Sequence, residues 1–162
     1  MQKDDRYFMK QALREAQKAL QINEVPVGAV IVSGKSIVSR AYNQNLSLND
    51  PTAHAEILAI RKACQKKENY RLNDCEMYVT LEPCPMCLGA VVLSRIKRLV
   101  YGAPDPKGGG VHSIMEFPFE KTNHKIEIRS GIMAKECGKI LKDFFKSKRH
   151  FFDAHWRGGR VA

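Results

Sequence analysis

Short apolar runs of strand length alternate with segments of helical periodicity along this chain, and this alternation restricts the possible folds most strongly. Residues 25–32 (VPVGAVIV) form an apolar run rich in β-branched residues, the turn SGK follows, and residues 36–43 resume an extended pattern. Together they predict a β-hairpin. Further strands are predicted at residues 75–81, 97–103 and 124–132.

Helices are predicted before, between and after these strands, because apolar side chains recur there at helical spacing. They cover residues 4–21, 53–64, 87–96 and about 133–149, and Thr52 is the predicted N-cap of the second helix. The alternating order predicts an α/β fold, with one mixed sheet and helices on its faces. No internal repeat or long linker divides the chain, so residues 1–162 are predicted to form a single domain whose last ~12 residues are frayed.

The composition is typical of a globular protein. Of the 162 residues, 44% are hydrophobic and 27% are charged, which argues against a disordered or collagen-like chain. No apolar run approaches the ~18 residues that a membrane helix needs, and the first residues lack the apolar stretch of a secretory signal. We therefore expect a cytoplasmic location and no membrane partner. The net charge of +10 often indicates a phosphate-bearing partner, although it also favours solubility.

The chain has five cysteines, and an odd number in a reducing compartment argues against a disulfide framework. Cys84 and Cys87 follow Pro83, where a helix is predicted to begin. Residues three apart lie on one face of a helix, and the helix N-terminus stabilises thiolates, so the two sulfur atoms form half of a site that suits zinc. The other cysteines are interpreted as small buried hydrophobic residues: Cys64, Cys75 and Cys137.

His54 is the best candidate for a third ligand, and it is predicted in the first turn of its own helix. Position 58 is Leu, so the HExxH pattern of zinc proteases is excluded. Three protein ligands leave the fourth tetrahedral position for water, which is the arrangement of a catalytic zinc rather than a structural one. Glu56 lies two residues after His54, where its carboxylate can carry protons to and from that water.

Each part of this pattern has a simpler explanation on its own. Cys84 and Cys87 could be a thioredoxin-type redox pair or two buried thiols, and a lone residue such as His54 is usually a surface or core residue. A structural zinc site would need a fourth Cys or His at a suitable spacing, which the chain does not offer. The combination of all the parts, each at the start of a predicted helix, favours a catalytic zinc centre.

The sequence HAE at 54–56, followed by PCPMC at 83–87, resembles the H-x-E…P-C-x-x-C signature of zinc-dependent nucleobase deaminases. More narrowly, the chain resembles the bacterial tRNA adenosine deaminases in stretches spread over residues 23–149: NEVPVGAV, AYNQN, DPTAHAEILAI, YVTLEPCPMC, YGAPDPKGG and KDFFKSKR. The resemblance implies a cytidine deaminase-like fold of three layers around a mixed five-stranded sheet. It also implies hydrolytic deamination of adenosine to inosine at the wobble position of a tRNA anticodon loop, by zinc-activated hydroxide with Glu56 as proton shuttle.

The same resemblance implies one Zn²⁺ in each subunit and a homodimer, with residues 87–96 as a plausible contact. By the resemblance the zinc ligands are His54, Cys84 and Cys87, and the backbone N–H of Ala55 is expected to help hold the zinc water. The residues expected to bind the substrate are Asn43 and Val27 at the base, Asp105 and Lys107 beside the target nucleotide, and Phe144, Phe145 and Arg149 at the RNA.

The last predicted helix has an apolar stripe and an opposite, basic face. The stripe consists of Met133, Cys137, Ile140, Leu141 and Phe144, and the basic face consists of Lys139, Lys142, Lys146 and Arg149. A solvated face over a core stripe is the usual meaning of such a pattern. Here the face is entirely basic, and Phe145 lies at its edge, where it could stack on a base. A tRNA anticodon stem-loop, the partner that the resemblance implies, suits this surface because its bases are unstacked.

Two other functions compete with this interpretation. A deaminase of a free base or nucleotide, such as guanine, cytosine or deoxycytidylate, would share the zinc centre and differ in its pocket and surface. A non-catalytic zinc protein that binds RNA would need a closed site with four ligands. In addition, the glycines at 108–110 predict a substrate loop that is less constrained than usual in the family, and Pro85 stiffens the segment between the cysteines.

Overall fold

The computed structural model describes residues 3–155, with side chains described through residue 149. The described residues form four α-helices and five β-strands, in the predicted order. In chain order they are α1 (Asp5–Gln21), β1 (Gly28–Ser33), β2 (Ser36–Tyr42), α2 (Ala55–Lys67), β3 (Cys75–Leu81), α3 (Pro85–Leu93), β4 (Arg98–Ala103), β5 (Glu127–Arg129) and α4 (Ala134–His155). A short 3₁₀ turn at Phe119–Lys121 was not predicted.

The strands form one mixed sheet in the order β2-β1-β3-β4-β5, which confirms the predicted five-stranded sheet. β1 pairs antiparallel with β2 and with β3, whereas the β3–β4 and β4–β5 pairs are parallel. The hairpin between β1 and β2 turns at Gly34, where φ is 63°, a conformation that glycine adopts without steric cost. Parallel strands need a crossover connection, and α3 provides it between β3 and β4.

Helices cover both faces of the sheet, as predicted for a three-layer α/β fold. α1 and the start of α4 pack on the face that includes Val30 and Tyr78. α2 and α3 pack on the face that includes Ile31, Met77 and Val79. Successive residues of a strand point to opposite faces, so neighbouring residues of β1 and β3 belong to different cores. α2 and α3 share a face and contact each other, and the N-cap residues of the two helices, His54 and Cys84, lie close together.

α2 begins later than the sequence pattern indicated. Its first residue is Ala55 and its N-cap residue is His54, so the predicted N-cap role of Thr52 is wrong. The Thr52 hydroxyl instead donates a hydrogen bond to Asp50 Oδ1 at 2.7 Å. The first N–H of the helix, from Ala55, donates to the side chain of Asn43. Asn43, twelve residues before Ala55, therefore accepts the hydrogen bond at the helix start that the sequence pattern had predicted for Thr52.

α3 begins at Pro85 rather than directly after Pro83, and Cys84 is its N-cap residue. Proline is well suited to the first helical position, because the N–H that it lacks has no partner there. The intrahelical bonding starts with the Leu88 N–H, which donates to the Cys84 carbonyl at 3.0 Å. Pro85 therefore sets the start of the helix between the two cysteines.

α4 extends beyond its predicted end near residue 149 and is described as far as His155. Of the predicted apolar stripe, Cys137, Leu141 and Phe144 are buried. The remaining residues of the chain end, 156–162, lie outside the described residues, so the frayed tail stays a prediction. Within residues 3–155, none of the helices combines the length and apolar character that a membrane crossing requires.

Candidate active site

Two helix starts on the same face of the sheet bring together the three predicted metal ligands. His54 caps α2, Cys84 caps α3, and Cys87 lies in the first turn of α3. His54 Nδ1 lies 3.6 Å from Cys84 Sγ and 3.4 Å from Cys87 Sγ. All three donor atoms lie within 4.8 Å of one another. We call these three residues the ligand cluster.

The ligand cluster has the dimensions of a tetrahedral zinc site. Zinc binds cysteine sulfur at about 2.3 Å and histidine nitrogen at about 2.0 Å, so a tetrahedral angle separates the two donor atoms by about 3.5 Å. The nitrogen–sulfur distances of 3.6 and 3.4 Å agree with this separation. Two sulfurs and an imidazole are also a donor set that suits zinc. In the part of the chain that the structure describes, no fourth His, Cys, Asp or Glu joins the group.

Hydrogen bonds within the ligand cluster favour one thiolate. The hydrogen bond with Cys87 lowers the pKa of Cys84 to about 4, and His54 adds to this effect while burial opposes it. The same hydrogen bond, together with burial, raises the pKa of Cys87. The pKa of His54 is raised, chiefly by its hydrogen bond with Cys84. The thiolate is the form in which cysteine binds a metal, so Cys84 is prepared for this role.

Glu56 lies in the first turn of α2 and is buried, at 4% exposure. Burial raises the pKa of its carboxyl group, against smaller opposing effects that include a hydrogen bond with Cys87. The charges of His54 and Cys84 also act on this pKa, so the carboxyl group lies beside the ligand cluster. A raised pKa makes a carboxylate a stronger base, which suits the proton transfers of general acid–base catalysis.

Asn43 connects the predicted base pocket to the start of α2. Its Oδ1 accepts a hydrogen bond from the Ala55 N–H at 2.7 Å, and its backbone N–H donates to the Val27 carbonyl at 3.1 Å. Both Asn43 and Val27 are buried. The predicted role of the Ala55 N–H, holding the zinc water, competes with the hydrogen bond that this N–H makes here. The Ala55 N–H fixes the Asn43 amide and leaves Nδ2 as the group that can donate to a ligand.

The loop that carries Asp105 and Lys107 is packed tightly against the start of α3. The Gly110 N–H donates to the Pro83 carbonyl at 2.8 Å, and the Gly109 N–H donates to the Asp105 carbonyl at 2.9 Å. Both glycines are buried. The prediction of a less constrained loop is therefore wrong, because these glycines permit close packing. Lys107 is exposed, and its backbone N–H donates to Asp105 Oδ1 at 3.1 Å.

The RNA-contact residues predicted on α4 lie on a different element from the ligand cluster. Phe144 is 8% exposed and Phe145 is 45% exposed, with ring centroids 5.3 Å apart in an edge-to-face arrangement. Arg149 is exposed. Phe144 also lines a groove of about 640 Å³ between α4 and the end of α1, together with Leu20, Asn23, Ile140, Asp143, Ser147 and Lys148.

Glu82 received no role from the sequence pattern, yet it is a buried carboxylate directly before the cysteine motif. Burial acts to raise its pKa, but hydrogen bonds from His112, Ser113 and Asp105 outweigh burial, and the pKa of Glu82 is lowered. The signal available in the sequence was a charged residue at the end of an apolar strand. A charge buried in such a place needs hydrogen-bonding partners from elsewhere in the chain.

Several known proteins are similar to this chain in sequence. A family model for MafB19-like deaminases matches residues 3–149. The tRNA-specific adenosine deaminase of Bacillus subtilis is 47% identical over 146 residues, which cover 90% of this chain and 91% of that protein. The tRNA-specific adenosine deaminase of Aquifex aeolicus is 48% identical over 145 residues, which cover 89% of this chain and 95% of that protein.

The fold is also that of a solved structure from a study of A-to-I editing by tRNA:A34 deaminases at the wobble position of transfer RNA. The two structures superpose with a TM-score of 0.80 and are 46% identical in sequence. The match covers 83% of this chain and 99% of that one. Similarity of this extent, over a chain with a His-Cys-Cys cluster beside a buried glutamate, shows that the protein belongs to the tRNA-specific adenosine deaminases of the MafB19-like deaminase family.

Proposed function

We propose that this protein catalyses the hydrolytic deamination of adenosine to inosine at the wobble position of a tRNA anticodon loop. The observation that carries the proposal is the buried Glu56 beside the ligand cluster. Relatives at 47% and 48% identity that act as tRNA-specific adenosine deaminases support adenosine in tRNA as the substrate. The reaction replaces the amino group on C6 of adenine by oxygen from water and releases ammonia.

His54, Cys84 and Cys87 would hold one Zn²⁺ in each subunit. A bound zinc ion acts as a Lewis acid that makes a water molecule nucleophilic at neutral pH. The distances between the donor atoms support this assignment. The number of ligands also supports it. Among the described residues the group has three members, and a catalytic zinc has three protein ligands and keeps its fourth position for water.

Glu56 acts as the proton carrier. Its carboxylate takes one proton from the attacking water and delivers it to the ring nitrogen N1 as oxygen bonds to C6. It then transfers the second water proton to the amino group, which leaves as ammonia when the C6–N bond breaks. Burial of Glu56 supports this role, because a carboxyl group screened from bulk water exchanges protons with the substrate rather than with solvent.

Asn43 and Val27 form the proposed pocket for the base. Because the Ala55 N–H holds Oδ1 of Asn43, the amide presents its Nδ2 hydrogens in one orientation, towards an acceptor nitrogen of the purine. Ala55 therefore contributes by positioning Asn43. Val27 contributes an apolar wall. Asp105 and Lys107 are proposed to contact the nucleotide from the loop beside the pocket.

The surface of α4 supports a substrate larger than a free base. Lys142, Lys146 and Arg149 are exposed on this helix, while Lys139 pairs with Asp143 at 2.6 Å. Exposed basic residues neutralise phosphates along an RNA backbone. The half-exposed ring next to them, Phe145, offers a face on which an unpaired base can stack. We therefore propose the anticodon stem-loop as the binding partner, with Phe144 supporting the ring of Phe145.

A homodimer and a cytoplasmic location complete the proposal. α3 presents exposed apolar side chains at Met86, which is 39% exposed, and at Leu93, which is 75% exposed. Residues seven apart lie on the same face of a helix, so these two side chains belong to one apolar surface. A second copy of the chain would remove this surface from water. The cytoplasmic location is proposed from the tRNA substrate.

Incubation of the zinc-loaded protein with an anticodon stem-loop RNA tests the proposal. We expect sequencing to detect inosine at the wobble position, with ammonia released in equal amount. A stem-loop with guanosine at that position is the matched control and should remain unchanged. Ammonia released from guanine, cytosine or deoxycytidylate, without inosine in the RNA, would contradict the proposal and support a deaminase of free bases or nucleotides.

A further inference from the structure

One buried carboxylate holds the loop that follows β4. Glu82, the residue after β3, is 2% exposed. Its Oε1 accepts hydrogen bonds from the Asp105 N–H at 3.1 Å and from the Ser113 hydroxyl at 2.5 Å. Its Oε2 accepts from the N–H groups of Val111, His112 and Ser113 at 3.0, 3.0 and 3.2 Å. Both ends of residues 104–113, which we call the anchored loop, therefore converge on one side chain.

The anchored loop packs directly on this carboxylate at Gly109. A Cβ atom at position 109 would lie 2.2 Å from Glu82 Cδ, so glycine is needed for the backbone to come this close. The neighbouring Gly110 N–H donates to the Pro83 carbonyl at 2.8 Å. Gly109 thus packs on the side chain of Glu82, and Gly110 is hydrogen-bonded to the backbone of Pro83.

Glu82 is also joined to the rigid surroundings of the ligand cluster. Its backbone N–H donates to the Ala103 carbonyl at 2.8 Å, which links the ends of β3 and β4. Two residues later, Cys84 caps α3 and supplies a proposed zinc ligand. The same short segment therefore connects the metal centre to the loop that carries Asp105 and Lys107.

We propose that Glu82 is a positioning residue, whose carboxylate holds the anchored loop at a fixed place relative to Cys84, so that Asp105 and Lys107 meet the nucleotide at the metal centre. The inference rests on the proposed function, which assigns substrate contacts to Asp105 and Lys107. A loop that is ordered before binding avoids the entropic cost of ordering it on the substrate. Loss of this order should therefore weaken substrate binding more than it slows the chemical step.

The distribution of the hydrogen bonds distinguishes this role from general stabilisation of the fold. β3 already pairs with β1 and with β4 along its length, so the sheet does not depend on the Glu82 side chain. A buried charge is costly unless hydrogen bonds compensate it. Among the described residues, all the compensating hydrogen bonds come from the anchored loop.

The variant Glu82→Gln tests the proposal, because the amide places an NH₂ group against N–H donors in either orientation. We expect KM for the anticodon stem-loop to rise about 10-fold to 100-fold, as small displacements of positioning groups can cost. We expect kcat to change less than about threefold, since the loop contacts the substrate and not the reacting atoms. Zinc content should stay unchanged. Hydrogen–deuterium exchange should become faster in the anchored loop and remain unchanged in α1 and β1.

Glu15→Gln is the matched control for the loss of a buried charge. Glu15 is also 2% exposed but lies on α1, where it pairs with Lys18 at 3.0 Å. We expect this variant to have the same KM as the wild type and the same rate of hydrogen–deuterium exchange in the anchored loop. A rise in KM of similar size in both variants would overturn the proposal.

Gly109→Ala tests the same contact from the loop side, without altering Glu82. The added Cβ atom would collide with the carboxylate, so KM and loop exchange should change in the same direction as in Glu82→Gln. Gly138→Ala is the control, because a Cβ atom there meets its nearest neighbour, Ala103 Cβ, at 3.8 Å. This control should behave as the wild type.

Unchanged exchange in the anchored loop of Glu82→Gln would overturn the proposal. A fall in both kcat and the free energy of unfolding, with faster hydrogen–deuterium exchange throughout the protein, would also overturn the proposal. This result would indicate a purely structural residue. Failure of the proposed function is distinguishable from both, since the wild type itself would then form no inosine in the stem-loop. In that case the exchange measurement still decides whether Glu82 holds the loop.

Discussion

His54 and Cys84 share a local conformation that prepares both side chains for a metal. Each residue caps a helix with an extended backbone, with φ and ψ of −73° and 152° for His54 and −74° and 167° for Cys84. Neither side chain makes a capping hydrogen bond to its helix, and both the imidazole and the thiol belong to the ligand cluster. The positive end of the helix dipole behind Cys84 also favours its thiolate.

Motif spacing was sufficient to predict the members of the ligand cluster, but it was insufficient for the residues around them. His54 and Glu56 are two apart at the start of α2, and Cys84 and Cys87 are three apart at the start of α3, so the members of each pair are close in sequence. The N–H of Ala55, in contrast, donates to Asn43, which lies twelve residues earlier in the chain. No rule of local spacing predicts that contact, which joins the start of α2 to the predicted base pocket.

Replacement of Glu56 by alanine should lower activity strongly and leave the metal bound. We expect Glu56→Ala to lower kcat about 10²-fold to 10⁴-fold, the usual effect of losing a general acid–base group. Zinc should remain, because Glu56 is not a member of the ligand cluster. Cys87→Ala is the matched comparison and should lose zinc as well as activity. Inosine formation and atomic absorption measure the two effects, and wild-type rates in zinc-loaded Glu56→Ala would refute the role.

At the scale of secondary-structure elements, an ion-pair network joins the first helix to three strands. Asp5, in the first turn of α1, pairs with Arg98 of β4 at 2.6 Å and also with Arg129 of β5. The Tyr78 hydroxyl of β3 donates to the same carboxylate at 2.8 Å. The hydrogen bond from Arg98 holds the pKa of Asp5 well below its usual range, although burial opposes this effect.

The stability of this network should depend on pH in a defined direction. The pKa of Asp5 is lower in the folded protein than in the unfolded chain. The ionised Asp5 carboxylate therefore contributes fully to the free energy of unfolding above about pH 5, and this contribution is lost as the pH falls through about 4 and below. We expect Asp5→Asn to lower the free energy of unfolding by about 1–3 kcal/mol at pH 7. The difference from the wild type should shrink as the pH falls towards 3. Urea denaturation at several pH values measures both effects.

Glu127→Gln is the control for this prediction. Glu127 pairs with the same Arg98 at 3.4 Å, but its side chain is 70% exposed. Exposed ion pairs contribute at most about 1 kcal/mol, so this variant should differ little from the wild type at any pH. An Asp5→Asn variant with the same stability deficit at pH 3 as at pH 7 would contradict the proposed electrostatic origin.

The whole molecule combines a net charge of +10 with an exposed basic helix. A net positive charge attracts an anionic partner over long distances, and the exposed residues of α4 offer a place for its phosphates. The groove between α1 and α4 adds partly apolar walls, among them Leu20 and Phe144. The ligand cluster and this surface belong to separate elements.

Affinity for the anticodon stem-loop should therefore fall steeply as salt is added. We expect a linear decrease of log K with log salt concentration, and the double variant Lys142→Ala/Lys146→Ala should reduce the slope by about 0.7 for each phosphate that it no longer neutralises. Lys66→Ala is the control, because Lys66 is exposed near the opposite end of α2, about 20 Å from the ligand cluster by helix length. Fluorescence anisotropy measures the slopes, and a flat salt profile would contradict the RNA-binding surface.

The sequence by itself determined the order of the elements, the class of the sheet and the three proposed metal ligands. These features follow from hydrophobic periodicity and motif spacing, which are properties of neighbouring residues. Only the tertiary structure decided that Asn43 accepts the first N–H of α2 and that Glu82 accepts the hydrogen bonds of the anchored loop. The hydrogen bonds of Glu82 span 23 to 31 residues of sequence, so they exist only after the ends of β3 and β4 are brought together. Such contacts depend on single loop residues, and these produce no repeating pattern from which the contact could be predicted.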